Sequence, residues 1–348
     1  MENRIDSLDV AKGICILFVV MGHILQYNCE GNGARIVFDF IYSFHMPAFM
    51  LLSGYVASLS RDRVMKEKAM AFIKKKFVSL VIPFLVWGLV VMPFIVRRDS
   101  FSCFSTIAKE LALQPDTGAW FLISLFCIQV YFLLFCLFAN TLKCKTQMNA
   151  ETISLAVVFG VLLWGHKILN MCCPNLPGGG GKSFYMPERY VFFFFLGYSF
   201  NRYLVRQLYK KWIVLVSALV FVALVRYYTF GNDPYKLQML CGIFASIIVL
   251  HIARAIDQVK SLETCKEKLV LYGKNSLVIY LTHFPIIMLL QNEVRLDTDA
   301  IAGIPLFIIV AVVSVPVCAI CTFWGRLVSE NSLFDKLLYG RSKKNINK

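Results

Sequence analysis

Apolar residues in this chain fall into ten runs, most of them close to the roughly 20 residues that an α-helix needs to cross a bilayer. The runs extend from Val10 to Gln26, Ile36 to Leu59, Phe77 to Val96, Ala119 to Asn140, Thr152 to Asn170, Arg189 to Leu204, Trp212 to Tyr228, Leu237 to Ala255, Leu269 to Gln291 and Ala302 to Trp324. The sixth is the shortest, because Tyr198, Asn201 and Arg202 cut into its end. The pattern predicts an all-α, polytopic integral membrane bundle of about ten transmembrane helices. In the gap from Arg97 to Gly118, Phe101, Phe104, Ile107, Ala108 and Leu111 recur at helical spacing and predict a short amphipathic helix. The gap from Lys167 to Glu188 carries PGGGGKS, which is not a phosphate loop: Leu176 stands where the first glycine of that motif belongs, and no strand precedes it. It reads as an outer loop. No inverted repeat of the transporter kind is evident.

Composition sharpens this picture. The 348 residues are 58% hydrophobic and 16% charged, with mean hydropathy +0.65, well below the charge content of a soluble globular chain. Thirty-six basic against 21 acidic residues would suggest nucleic acid in a soluble protein. Here the basic residues crowd into alternate gaps, most densely from Arg61 to Lys76 and after the last run, so they set orientation and imply no nucleic-acid partner. The basic side is expected to be cytoplasmic, with both termini inside and the protein in the cell (inner) membrane. The organisation expected is a single membrane domain over residues 1–340 followed by a short basic cytoplasmic tail, 341–348. No small-residue cleavage site follows the first run, so it is expected to remain as an anchor. The twelve cysteines show no metal-like spacing, and Cys318 and Cys321 read as core residues rather than a redox pair.

Ionisable groups inside apolar runs are costly unless they face protein or water, which marks them as functional candidates. Lys12 and His23 are eleven residues apart in the first run. On a helix that is about three turns, which places them within roughly 20° of one face and about 16 Å apart along the axis. In the second run His45 lies in FHMPAFMLLSGY, where Pro47 frees a backbone carbonyl and Ser53-Gly54 permits close approach of a helix or ligand. In the ninth, YGKNSLVIYLTHFPII places Gly273, Lys274, Asn275 and Ser276 near the inner end, as a helix start or an anion site, and His283 toward the outer end. Trp120 opens the fourth run as an aromatic-belt residue, and Glu188 and Arg189 open the sixth. His166 and His251 read as packing residues.

In order along the chain, these motifs resemble acyltransferase family 3 of integral membrane proteins. A basic residue, ten intervening residues and a histidine form its first-helix signature, met by Lys12 and His23, with Lys in place of the frequent Arg. Arg4 and Asp9 in RIDSLDVAKGI, FHMPAFMLLSGY, AWFL at Ala119 to Leu122 and GKNSLVIYLTH complete the resemblance, which spans residues 4 to 283. A stand-alone membrane module is expected, without the appended hydrolase-like domain that some members carry.

The resemblance implies transfer of an acyl group, acetyl foremost, from cytoplasmic acetyl-CoA to a hydroxyl of a sugar or cell-surface glycan. Acetyl-CoA would be a co-substrate and no cofactor would be bound; membrane lipid surrounds the protein, and the sequence is silent on oligomerisation. It assigns catalysis to His23, with His45, His283 and Asp9 as orienting or stabilising groups, and places Lys12, Arg4, Lys274, Asn275 and Ser276 on the donor side. Ser53, Trp120, Glu188 and Arg189 are the candidates for the acceptor or pocket. Arg61, Arg63, Lys66, Lys68 and the Lys74-Lys75-Lys76 run are further candidates for donor phosphates. Imidazole titrates near neutral pH and can act as a base on the sugar hydroxyl, or carry the acyl group as a covalent acyl-histidine; the sequence leaves both routes open. The rival reading is a transporter or flippase of a glycan or lipid-linked sugar, for which charges spread over two repeated halves would be expected.

Overall fold

A computed structural model describes residues 6–341 except 98, 114–118, 143, 145, 173–187, 232–234, 292–294, 300 and 302. Arg4, the PGGGGKS stretch and residues 342–348 therefore lie outside the described residues. Each of the ten apolar runs is mainly helical in its described part, and the only strands among the described residues are two of two residues each. Helices α1 (Asp6–Asn28), α2 (Asn32–Tyr42) and α3 (His45–Lys66) are followed by α4 (Ala69–Arg97), whose ladder includes π-helical turns and Pro93. Next come α5 (Phe104–Leu113), α6 (Trp120–Thr141), α7 (Gln147–Cys172), α8 (Glu188–Ser199), α9 (Lys211–Val225) and α10 (Tyr235–Gln258). The chain closes with α11 (Glu263–Lys274), α12 (Ser276–Gln291), α13 (Ile304–Ser329) and α14 (Ser332–Tyr339).

This is a polytopic helical membrane protein. Among the described residues seven helices are long and apolar enough to cross a bilayer, or up to nine if two bent pairs each count as one span, against the ten expected. The shortfall has a local cause at two places. The sixth and seventh runs meet at a 114° bend between Tyr190–Leu208 and Lys211–Val225, and the ninth breaks by 84° between Lys260–Lys274 and Ser276–Gln291. The 15 residues of α9 and 16 of α12 reach only about 22–24 Å at 1.5 Å per residue, short of a hydrocarbon core of about 30 Å. The amphipathic helix expected after Arg97 is present as α5, with Ile107 and Leu111 on its buried face.

The chain divides into two compact units, Met1–Val56 with Phe193–Leu327, and Ala57–Phe192 with Val328–Lys348. In the first, α1 is the centre, packed by α11, α10, α12 and α2. Apolar side chains gain little by leaving lipid for one another, so close packing must hold such helices together, and small residues let the backbones approach. Here the small residue is glycine. A Cβ on Gly13 would collide with the carbonyl of Leu269, and one on Gly273 with the carbonyl of Asp9, so α1 and α11 touch backbone to backbone at two points. Gly54 meets the Phe194 carbonyl and Gly197 the Leu51 carbonyl in the same way, which locks α3 to α8 within this unit.

A polar clasp fixes the opposite end of α1. Strands β1 (Cys29–Glu30) and β2 (Leu296–Asp297) pair in parallel. Gly31 turns with φ 102°, in the left-handed half of backbone space that glycine enters most readily. Asp299 Oδ1 accepts from Asn32 N at 2.9 Å, Thr298 Oγ1 accepts from Ala34 N at 2.8 Å, and the Thr298 hydroxyl donates to the Glu30 carbonyl at 2.6 Å. The orphan amides that open α2 are thus satisfied by a loop 264 or more residues away in sequence, tying α1–α2 to the segment between α12 and α13.

In the second unit α6 packs on α7 and on α4, and α14 docks against α4, where the Trp87 indole donates to the Leu338 carbonyl at 2.9 Å. Gly340, with φ 63°, caps α14 and lies against Ser79. Arg61 is buried and paired with Glu151 at 3.1 Å, with only 8% and 3% of the two side chains exposed. That charge is spent inside the protein, so Arg61 is a structural ion pair rather than a surface for donor phosphates; its exposed neighbour Asp62 takes a second bond at 3.1 Å.

Candidate active site

The stripe Lys12, Ile16, Val19, His23 faces protein: Ile16 and Val19 are 0% and 2% exposed, so the stripe presents its two ionisable side chains to packed neighbours rather than to lipid. Asp6 and Asp9 sit in its first turn, where carboxylates suit the helix dipole. Lys12 Nζ lies 3.6 Å from Asp9 Oδ1; the carboxylate is almost fully buried and the ammonium partly so. The Gly273 contact sets this Asp9–Lys12 turn directly against the start of the GKNS motif.

Asn275 ends α11. Its side-chain amide donates to the Leu271 carbonyl at 2.9 Å, its backbone N–H to the same carbonyl at 3.1 Å, and its own carbonyl accepts from Ile279 N in the first turn of α12. Ser276 opens α12. The motif that reads as a helix start or an anion site is thus a break between two helices, with Asn275 capping one and leading into the other. Lys274 is exposed.

The break aims α12 so that His283 meets α1. His283 Nε2 is 3.3 Å from His23 Nδ1, with ring centroids 4.9 Å apart. His283 is 1% exposed and its Nδ1 lies 2.8 Å from the Ile279 carbonyl one turn back. His23 remains partly accessible. Tyr27 and Phe284, themselves edge to face at 5.2 Å, flank its ring at 6.1 and 5.8 Å.

His45 opens α3, is 3% exposed, and has its Nδ1 2.9 Å from the Ile41 carbonyl. Tyr42 connects it to the His23 end of α1: its ring is 4.6 Å from that of His45 and packs on Gly22, where a Cβ would come within 2.8 Å. The Tyr42 hydroxyl donates to Gln26 Oε1 at 3.1 Å, while its carbonyl accepts from Gln238 Nε2 at 2.9 Å. Phe38 stacks on Tyr42 with centroids 3.8 Å apart.

Three of the sequence candidates, His23, His45 and His283, are therefore gathered at one end of α1, with Asp9 and Lys12 paired near the other. Ser53 turns back to its own helix, donating to the Phe49 carbonyl at 2.9 Å. Trp120 belongs to the second unit, its ring 5.3 Å from that of Tyr190. Glu188 and Arg189 open α8; their side chains and Arg4 lie outside the described residues. Sequence reasoning missed Tyr42, Tyr27, Gln26 and Gln238. The signal for Tyr42 was present in Gly22, which precedes His23 and leaves room for a ring. Among the described residues no group of His, Cys, Asp and Glu forms a metal site.

A family model described as an acyltransferase domain matches residues 5–323, and so takes in both ends of α1, the α11–α12 break and the three histidines. The chain is also 28% identical over 271 residues to the nodulation protein NolL of Sinorhizobium fredii, covering 74% of this chain and 64% of the relative. Over 90 residues it is 39% identical to the nodulation protein NolL of Mesorhizobium japonicum, covering 25% of this chain and 23% of that one. The aligned part thus spans less than two thirds of the length of either relative.

Proposed function

The chain belongs to the acyltransferase 3 family of integral membrane proteins, and from that premise we propose that it moves an acyl group, acetyl foremost, from acyl-CoA to a hydroxyl of a sugar or cell-surface glycan. The observation that carries the reading is the pairing of a partly accessible histidine, His23, with a buried one, His283, on two helices that the family match includes.

His23 acts as the base. It takes the proton from the acceptor hydroxyl as the oxygen attacks the thioester carbonyl, and the tetrahedral intermediate collapses by breaking the C–S bond. The proton then passes to the departing thiolate, so base and acid are one residue at two stages. A donor made in the cytoplasm enters from the basic side of the membrane. Lys12, held in place by Asp9, orients it as a point charge, since an ammonium lacks the planar fork of a guanidinium. Arg4, Lys274, Asn275 and Ser276 belong to the same donor side. His45 and the ring of Tyr42 border the acceptor, with Ser53 as a further candidate there; Trp120, Glu188 and Arg189 remain acceptor candidates on their sequence motifs alone. In this reading the protein sits in the cell membrane with both termini in the cytoplasm.

Membranes holding the protein, given labelled acetyl-CoA and a panel of sugar and glycan acceptors, test the reading. Alkali-labile label on an acceptor hydroxyl is expected. Consumption of no acyl-CoA with any acceptor would sink it, and label retained on His23 in the absence of acceptor would replace direct attack with an acyl-histidine relay.

A further inference from the structure

We propose that His283 is a positioning residue that fixes the tautomer of His23, so that Nε2 of His23 is the nitrogen that takes the proton; the assignment rests on His23 being the base. A backbone carbonyl only accepts hydrogen bonds, and it has two lone pairs with which to do so. The Ile279 carbonyl, 2.8 Å from His283 Nδ1, therefore requires the proton of neutral His283 to be on Nδ1. Nε2 of His283 is then a bare lone pair. It faces His23 Nδ1 at 3.3 Å, so the proton of neutral His23 is on Nδ1 and its own lone pair is on Nε2.

The direction of this chain is set by α12 and read out on α1. His45 and His251 also place Nδ1 against a carbonyl one turn back, at 2.9 and 3.0 Å. Among the histidines whose side chains are described, His23 alone turns Nδ1 to another side chain. Burial of His283 at 1% exposure keeps water from competing for its Nε2, while the partial accessibility of His23 leaves the opposite side of that ring for a substrate. When His23 Nε2 takes the hydroxyl proton, the N–H bond forms as the O–H bond breaks. The resulting imidazolium keeps its Nδ1–H on His283 Nε2, and the proton on Nε2 leaves with the thiolate. His283 gains no bond to substrate at any point; it acts through His23, in the position that a carboxylate takes in serine hydrolase triads.

Nitrogen-15 NMR of histidine-labelled protein in lipid bilayers, with His23 identified by its loss in His23→Gln, reads the tautomer directly. A protonated Nδ1 and bare Nε2 on His23 are expected in the wild type, with a mixture of tautomers in His283→Leu. Kinetics provide the second arm. The terminal amide of glutamine reaches the place of imidazole Nε2 and offers an accepting oxygen, whereas that of asparagine reaches only the place of Nδ1. His283→Leu and His283→Asn are expected to lower kcat by about 10²–10⁴-fold with KM changed by less than about twofold, and His283→Gln to recover at least about tenfold of that loss. A proton on Nε2 of His23 in an active wild type, or equal losses in all three variants, would overturn the positioning role alone. A wild type that consumes no acyl-CoA would overturn the functional reading and this role with it.

Discussion

Gly273→Ala is the substitution whose effect follows most directly from the geometry. The added Cβ would lie on the Asp9 carbonyl, 2.7 Å from its carbon and 3.1 Å from the Asp9 Cα. Both neighbours are helix backbone, which cannot rotate aside, so α1 and α11 must separate by on the order of 1 Å to restore ordinary contact near 3.5 Å. Overpacking of that kind costs about 1–3 kcal/mol. A shift of about 1 Å at a reacting group costs about 10²-fold in rate, and α1 carries Lys12 and His23 with it. The assay is a thermal unfolding midpoint in detergent beside a single-turnover rate of acyl transfer. Gly160 provides the control, because a Cβ there meets nothing within 4 Å and alanine at a mid-helix position is expected to be neutral or stabilising by up to about 1 kcal/mol. Since one separation relieves both contacts, Gly13→Ala with Gly273→Ala is expected to cost less than the sum of the two. A Gly273→Ala protein with the wild-type midpoint and rate would refute the backbone contact between α1 and α11.

Three further outcomes follow from other parts of the molecule. Glu151→Ala leaves Arg61 buried without its partner and is expected to cost about 3–5 kcal/mol in stability, whereas replacing both by apolar residues of similar size costs far less; unfolding of the single and double variants in the same detergent checks this. Thr298→Val removes a hydroxyl that both accepts from Ala34 N and donates to the Glu30 carbonyl, and is expected to destabilise by about 1–3 kcal/mol, with faster amide exchange at Ala34 as the specific sign. In α14, outside the apolar spans, burial pushes the Asp335 carboxyl above the usual carboxylate range while Arg341 pulls it back. The folded pKa is the higher one, so ionisation opposes docking: stability rises as pH falls through that range, and Asp335→Asn is expected to raise the unfolding midpoint near neutral pH and flatten its pH dependence.

Much of the fold was legible because apolar run length reports a bilayer crossing without any tertiary information. What escaped was where a run stops being straight. The ninth run has no proline at its break; Asn275 stops α11 by bonding its side chain to Leu271, and a capping residue inside an apolar stretch reads as easily as a helix start. The 114° turn between the sixth and seventh runs falls among Tyr209 and Lys210, polar residues that resemble an ordinary interhelical gap. In the candidate site, charge and imidazole inside apolar runs pointed to Lys12, His23, His45 and His283, the family resemblance added Asp9, and three-turn periodicity placed Lys12 and His23 on one face. Nothing in the spacing shows that His23 and His283, 260 residues apart, are in contact, since that follows from glycines that bring α1 against α11 and from the bend that then directs α12. Tyr42 escaped because an aromatic residue beside a histidine in an apolar run is the commonplace expectation, and Arg61 looked available because sequence does not reveal its buried partner, Glu151.

If His23 is the base of the acyl transfer, a His23→Gln protein loses that transfer. Gln keeps the size and polarity of the imidazole without a titrating nitrogen. Wild type and variant, matched for membrane content and unfolding midpoint, would be given labelled acyl-CoA and the same acceptor. A fall in kcat of about 10²–10⁴-fold is expected in the variant, with the acyl-CoA affinity retained. Equal transfer by the two proteins would contradict it.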